Sequence, residues 1–233
     1  MPPETLASEI QTGTQSLGLH LSDRQADQLA QFADLLLTWN QKINLISRAT
    51  EPQIVSRHII DSLAPAAYLQ SHPPPSRGEP VVSLSNRGQG EGEILAADLG
   101  SGGGLPGIPL KIVAPHWEMT LIEPTLKKGA FLKTAIDQLG LEGIQVVAEH
   151  IARRPPAGLA RHFDLVVSRA TLPIPQLIPI TTSLLNRGGR WIAMVSQKQA
   201  ADFGTGLVTW PYRLPDGSTW SLLVSRKIDP SGP

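Results

Sequence analysis

The chain has 233 residues, of which 41% are apolar and 17% charged, with 21 Gly, 21 Pro and no Cys, and its 20 Lys and Arg balance 20 Asp and Glu. At roughly 150 residues per domain this allows one generous domain or a domain with an appendage, and it excludes a collagen-like repeat, an unfolded polyelectrolyte, a disulfide scaffold and any thiolate chemistry. No apolar run approaches the ~18 residues of a membrane span, and Met1-Pro2-Pro3-Glu4 has neither the basic nor the apolar region of a signal peptide, so a cytoplasmic protein is expected.

Ser22-Asp23-Arg24-Gln25 has the spacing of a capping box, and Leu29, Phe32, Ala33, Leu36 and Leu37 follow at the three-and-four spacing of one helical face. An amphipathic helix ending near Trp39-Asn40 is expected. A second helix is expected from Thr50 as cap, with Pro52 in its first turn and Val55, Ile59 and Leu63 repeating every four residues; His58 and Asp61, three apart, share one of its faces. Residues 1–70 read as a helical appendage. Residues 71–93, with three consecutive prolines and four glycines, read as a linker or loop. From 94 to 233 short apolar runs (94–99, 119–123, 144–148, 163–168 and 191–195) alternate with helical stretches such as Leu126–Leu139, the pattern of a parallel sheet covered on both faces. Two last runs, 207–214 and 220–225, flank Pro215-Asp216-Gly217-Ser218 and read as a hairpin closing the sheet.

Between the first run and the next helix stands Asp98-Leu99-Gly100-Ser101-Gly102-Gly103-Gly104-Leu105-Pro106-Gly107, with five glycines in eight residues. Such glycines permit a tight turn and bring backbone N–H groups close to a ligand at a helix N-terminus, which implies a nucleotide-like ligand at the carboxyl edge of the sheet. Two spacings fit. Gly100, Gly102 and Gly104 suit a methyltransferase loop, whereas Gly102, Gly104 and Gly107 match the dinucleotide fingerprint, and Glu123 is placed for a ribose in both. Asp98 favours the first, because a carboxylate suits the positively charged amino acid end of S-adenosylmethionine and would repel a pyrophosphate.

From about Leu35 to Lys227 the chain carries, in order, Trp39-Asn40-Gln41-Lys42-Ile43-Asn44-Leu45, His58-Ile59-Ile60-Asp61-Ser62-Leu63, the stretch 98–109, Ala148-Glu149 and Ser168-Arg169-Ala170. In this series it resembles the ribosomal RNA small subunit methyltransferase G family. The resemblance implies a class I S-adenosylmethionine-dependent methyltransferase fold, Rossmann-like α/β with a mostly parallel seven-stranded sheet and the N-terminal helical appendage. It also implies an enzyme that methylates the seven-position nitrogen of one guanine in 16S rRNA of the small ribosomal subunit, with cofactor contacts at Gly100, Leu105, Ala148, Glu149 and Arg169. Together with the loop reading, the expected S-adenosyl-L-methionine site is Asp98, Gly100, Gly102, Gly104, Leu105, Glu123, Ala148, Glu149 and Arg169. That guanine nitrogen carries no proton at neutral pH, so no general base is expected and no residue is designated catalytic. No metal site is expected either, because histidines 20, 58, 72, 116, 150 and 162 have no ligand-like spacing. Arg169 suits either the donor or an RNA phosphate, and His58 and Asp61 are placed to orient one another near the pocket.

Charge is unevenly spread: residues 1–126 hold 7 basic and 13 acidic side chains, and 127–233 hold 13 basic and 7 acidic. Lys127, Lys128, Arg153, Arg154, Arg161 and Lys198 are the candidates for an RNA surface. The chain departs from the family pattern at Val147, where Arg is common, at Val195-Ser196 in place of Lys-Gly, and at Ser218-Thr219-Trp220, where a basic residue is replaced. Two rival readings stand beside the enzyme. One is a methyltransferase-like module that docks on rRNA without turnover, and the other is a nicotinamide-dependent oxidoreductase using Gly102, Gly104 and Gly107. Neither a membrane nor an obligate protein partner is expected.

Overall fold

Seven strands, β1 (Leu95–Leu99), β2 (Glu118–Ile122), β3 (Ile144–Val147), β4 (Phe163–Arg169), β5 (Leu185–Ser196), β6 (Leu207–Arg213) and β7 (Thr219–Ser225), form one sheet in the order β3-β2-β1-β4-β5-β7-β6. The computed structural model from which this is read describes residues 3–72, 94–150, 155, 158–169, 171–203 and 206–225, so that 73–93, Arg153, Arg154, Ala170 and Lys227 lie outside the described residues. Pairing is parallel from β3 through β5, and β7 runs antiparallel to both of its neighbours. This is the Rossmann-like α/β architecture with a mostly parallel seven-stranded sheet that the resemblance implies. Strand order reverses between β1 and β4, and in open α/β sheets a ligand crevice lies beyond the carboxyl ends of the strands at that point.

The strands are apolar on both faces, as buried parallel strands must be. Ala96, Leu165, Val167, Ile192 and Met194 point into one core cluster, while Ala97, Val166, Ala193 and Val195 point into the other. The first cluster is completed by α1 (Pro3–Thr14), α2 (Asp23–Asn40), α3 (Ala64–Ser71), α4 (Gly107–Val113) and α5 (Leu126–Leu139), through side chains such as Ile10, Phe32, Leu69, Ile108 and Phe131. The second is covered by α6 (Ile174–Leu184) and by Ala200 of α7 (Gln197–Ala201).

α2 begins with the expected capping box: Ser22 Oγ accepts from the Gln25 N–H at 3.3 Å, and Gln25 Oε1 accepts from the Ser22 N–H at 3.0 Å. Along the same helix Gln25 Nε2 donates to the carbonyls of Ile112 and Val113, and Gln28 Nε2 to that of Leu139 at 3.1 Å. These are carbonyls of the last turns of α4 and α5, which have no partner inside their own helices. α2 thus caps α4 and α5, two of the helices it packs on.

The second expected helix differs. Residues Arg48–Gln53 wind as a 3₁₀ helix and Ile54–Ile60 as a π-helix, with α winding resuming only afterwards. Pro52 has no N–H to give to the carbonyl four residues before it, so an α-helix cannot run through the junction unbroken. Val55, Ile59 and Leu63 are buried all the same.

Candidate active site

The turn from β1 into α4 holds Gly100, Gly102 and Gly104 at φ of +76°, +54° and +78°, the left-handed region that favours glycine. Gly100 has a second reason to lack a side chain, since a Cβ there would stand 2.2 Å from Thr171 Cγ2. At Gly102 a Cβ would meet nothing nearer than 3.8 Å, so the space above this glycine is open. It opens into a cavity of about 390 Å³ lined by Gly100, Ser101, Gly102, Gly103, Leu105, Glu123, Pro124, Lys128, Leu45, Arg169 and Thr171.

Two carboxylates hold the turn. Glu123, just past β2 and buried, accepts from the Gly102 N–H through Oε2 at 2.9 Å and from the Thr125 N–H through Oε1 at 2.8 Å. Asp98 is fully buried beneath the turn, where Oδ2 accepts from the Gly107 N–H at 2.9 Å while Oδ1 has no partner. Burial pushes its carboxyl up to about 7, against the stabilising Gly107 N–H.

A second cavity, also of about 390 Å³, lies beyond the ends of β4 and β5. Leu45, Arg169 and Thr171 line both cavities, so the two meet at Arg169, the last residue of β4. The guanidinium there is held from three directions: Nη1 donates to Asp61 Oδ2 at 3.3 Å and to the Arg57 carbonyl at 3.4 Å, and Nη2 contacts His58 Nδ1 at 3.4 Å. All three partners come from the 3₁₀ and π-helical segment or the residue just after it, where the irregular winding turns side chains and a carbonyl to one place. Asp61 accepts in turn from the Tyr212 hydroxyl through Oδ1 at 2.6 Å. His58 Nε2 lies 2.9 Å from Thr50 Oγ1, which is itself placed to donate to the Ser47 carbonyl. Burial, and then the nearby Arg169 and Arg57 charges, lower His58 to about 4, so it is neutral at pH 7. An arginine only donates, so Nδ1 of the neutral ring accepts and Nε2 carries the hydrogen given to Thr50. His58 and Asp61 therefore do not bond one another as expected from their spacing; each bonds Arg169.

Of the expected donor-site residues, the fold brings Gly100, Gly102, Leu105, Glu123 and Arg169 together on one cavity wall, with Gly104 within the turn and Asp98 beneath it. Ala148 and Glu149 lie just past β3, exposed and off that wall. Lys127, Lys128 and Lys198 follow β2 and β5 at the same edge of the sheet, whereas Arg161 precedes β4 and so stands at the opposite edge. Sequence reasoning did not assign Leu45 and Thr171, nor Asn40, whose Oδ1 accepts from the N–H groups of Leu45 and Ile46 at 2.8 and 3.0 Å. A polar residue inside the Trp39-Asn40 motif, at the end of an apolar helical face, was the available signal for that buried role.

The family model for rRNA small subunit methyltransferase G matches residues 25–75 and 81–206. The chain belongs to the rRNA small subunit methyltransferase G family. The segments that line the cavity beside the glycine turn fall entirely within the matched residues. Among relatives, the Ribosomal RNA small subunit methyltransferase G of Aromatoleum aromaticum is 38% identical over 193 residues, covering 81% of this chain and 80% of that protein. The protein of that name from Burkholderia pseudomallei is 33% identical over 222 residues, covering 95% and 84%. A solved structure of a branched-chain polyamine synthase mutein from Thermus thermophilus shares the fold, with a TM-score of 0.52, 14% identity, and coverage of 83% of this chain and 62% of that one.

Proposed function

We propose that the protein is an S-adenosylmethionine-dependent methyltransferase of the cytoplasm that modifies the seven-position nitrogen of a guanine in 16S rRNA of the small ribosomal subunit. The observation that carries this reading is the family match, which runs through every residue of the cavity beside the glycine turn. The turn also suits the donor on its own terms: the space over Gly102 is open, Glu123 stands on the wall, and Asp98 keeps one buried oxygen without a partner. Gly100, Gly102, Leu105, Glu123 and Arg169 would hold it, with Asp98 and Gly104 supporting the turn from beneath and within and Ala148 and Glu149 as an outer rim. When bound, S-adenosylmethionine supplies an electrophilic methyl group on sulfur.

The acceptor nitrogen has no proton to lose, so the chain's task is alignment and exclusion of water. Good positioning is worth on the order of 7–11 kcal/mol. Residues 94–233 form the methyltransferase unit in this reading, 71–93 a linker, and 1–70 a helical unit that contributes Leu45, His58 and Asp61 to the site. Lys127, Lys128 and Lys198 serve as phosphate contacts along the sheet edge.

Calorimetric titration with S-adenosylmethionine and with NADH tests the donor. The expected result is saturable binding of the first alone, lost in Gly100→Ala, whose Cβ would strike Thr171. Binding of NADH in its place would reverse the assignment.

A further inference from the structure

The second cavity is given no occupant by the donor assignment. Its volume of about 390 Å³ falls within the range of small-ligand sites. Its walls are largely apolar, with Ile46, Leu172, Leu177, Met194 and Trp220 among them, and Ser196 and Gln199 add polar groups. Because Leu45, Arg169 and Thr171 are common to both cavities, a group held here lies next to a ligand held over the glycine turn.

Trp220 gives the cavity its chemical character. It pairs across the sheet with Ser196 at the end of β5, which fixes its position at the carboxyl edge. Its Nε1 donates to Ser218 Oγ at 3.3 Å, so the indole has its polar hydrogen satisfied outside the cavity and offers it an apolar ring. Two guanidinium groups also border the space, Arg169 and Arg57, the latter with its Nε donating to Asp216 Oδ2 at 2.9 Å and, among the described residues, its two terminal nitrogens left for a further acceptor. An apolar slot with an aromatic wall beside cationic groups suits one base taken out of a nucleic-acid stack, since the ring stacks while the guanidinium groups meet its phosphates. Trp220 lies beyond the residues that the family model matches.

We propose that this cavity is the acceptor pocket, taking one guanine swung out of its RNA loop, with Trp220 as the stacking wall that sets the base against Arg169. The inference rests on the reading of the protein as an rRNA guanine methyltransferase. Stacking on an aromatic side chain is tolerant of ring identity but not of ring loss. Replacement by leucine and by phenylalanine should therefore have different effects.

The test compares the full-length wild type with Trp220→Leu and Trp220→Phe, each saturated with donor for turnover or with S-adenosylhomocysteine for binding. In methyl transfer to undermethylated 30S subunits, Trp220→Leu is expected to raise KM roughly tenfold, with a smaller change in kcat and with S-adenosylhomocysteine affinity within about twofold of wild type. Trp220→Phe is expected to recover most of the loss. A KM within about twofold of wild type in Trp220→Leu overturns the proposal. Guanosine monophosphate supplies an arm that needs no turnover and no leucine variant: it should quench tryptophan emission in the wild type, and that quenching should vanish in Trp220→Phe. Quenching that survives the substitution overturns the pocket. A wild type that binds S-adenosylhomocysteine but methylates no rRNA sinks the functional reading instead, and the quenching result then decides the pocket by itself.

Discussion

Arg169 is fixed by acceptors whose own protonation sets the charge around it. His58 accepts from Arg169 only while neutral, and its folded value of about 4 lies below the ordinary 6.5. Asp98 behaves oppositely, at about 7 against an ordinary 3.8. Between pH 4 and 6.5 the unfolded chain protonates His58 and the folded one does not, so this contribution to stability is present above 6.5 and lost as pH falls to about 4. The folded protein takes up the Asp98 proton first, so that contribution is present below 3.8 and lost as pH rises through about 7. The two slopes oppose one another in the wild type. Relative to wild type, His58→Asn should lose stability as pH rises from 4 to 6.5 and Asp98→Asn should gain it from 4 to 7, each by roughly a few kcal/mol. Urea midpoints across that range measure both differences, and curves parallel to wild type would contradict the assignment. None of the Arg169 pairing was visible in the sequence, where Arg169 stands 108 and 111 positions from Asp61 and His58; only the three-residue spacing of the latter two could be read.

At the scale of elements, the segment after α2 matters most to the site. Asn40 is buried, binds the N–H groups of Leu45 and Ile46, and donates to Glu51 Oε1 at 2.6 Å. Asn40→Leu leaves two backbone donors without that acceptor, at about 1–3 kcal/mol each where water cannot replace it. Because Leu45 lines both cavities, the substitution should weaken S-adenosylhomocysteine binding as well as lower the melting temperature. A variant that melts early but binds normally would show that the segment has no part in the site. Losing the α2 cap is a purely structural matter: Ser22→Ala should lower stability by about 1 kcal/mol and leave donor affinity unchanged. What could be read of these elements follows their local signals. Leu126–Leu139 has an uninterrupted three-and-four repeat, and its expected bounds coincide with α5. α6 was not anticipated because Pro175 and Pro179 interrupt a repeat that still buries Ile174, Leu177 and Leu184. In the 3₁₀ and π-helical stretch the apolar spacing is that of an α-helix, and only Pro52 signals the interruption.

Over the whole molecule, the apolar strands, the mostly parallel sheet and the closing hairpin were within reach because each apolar run is short and bounded by turn residues, and because the sequence motifs carry the family resemblance. The relation of the two cavities was not, since it arises where residues from segments far apart in the sequence meet at one sheet edge. The basic excess of the second half does not translate whole into a surface: Lys127, Lys128 and Lys198 share the edge of the site, and Arg161 stands at the other. Lys127→Ala and Lys128→Ala together should therefore flatten the salt dependence of rRNA binding, by roughly one logarithmic unit of slope for each phosphate no longer neutralised, while Arg161→Ala leaves it unchanged. Filter binding across a salt series measures this, and equal slopes for all three would contradict the edge assignment. The most direct test of the function is transfer of labelled methyl from S-adenosylmethionine to undermethylated 30S subunits and to stripped 16S rRNA, followed by reduction and aniline cleavage at any 7-methylguanosine. Cleavage at a single guanine is the expected result; a preparation that binds donor and rRNA yet incorporates no methyl group would contradict the assignment.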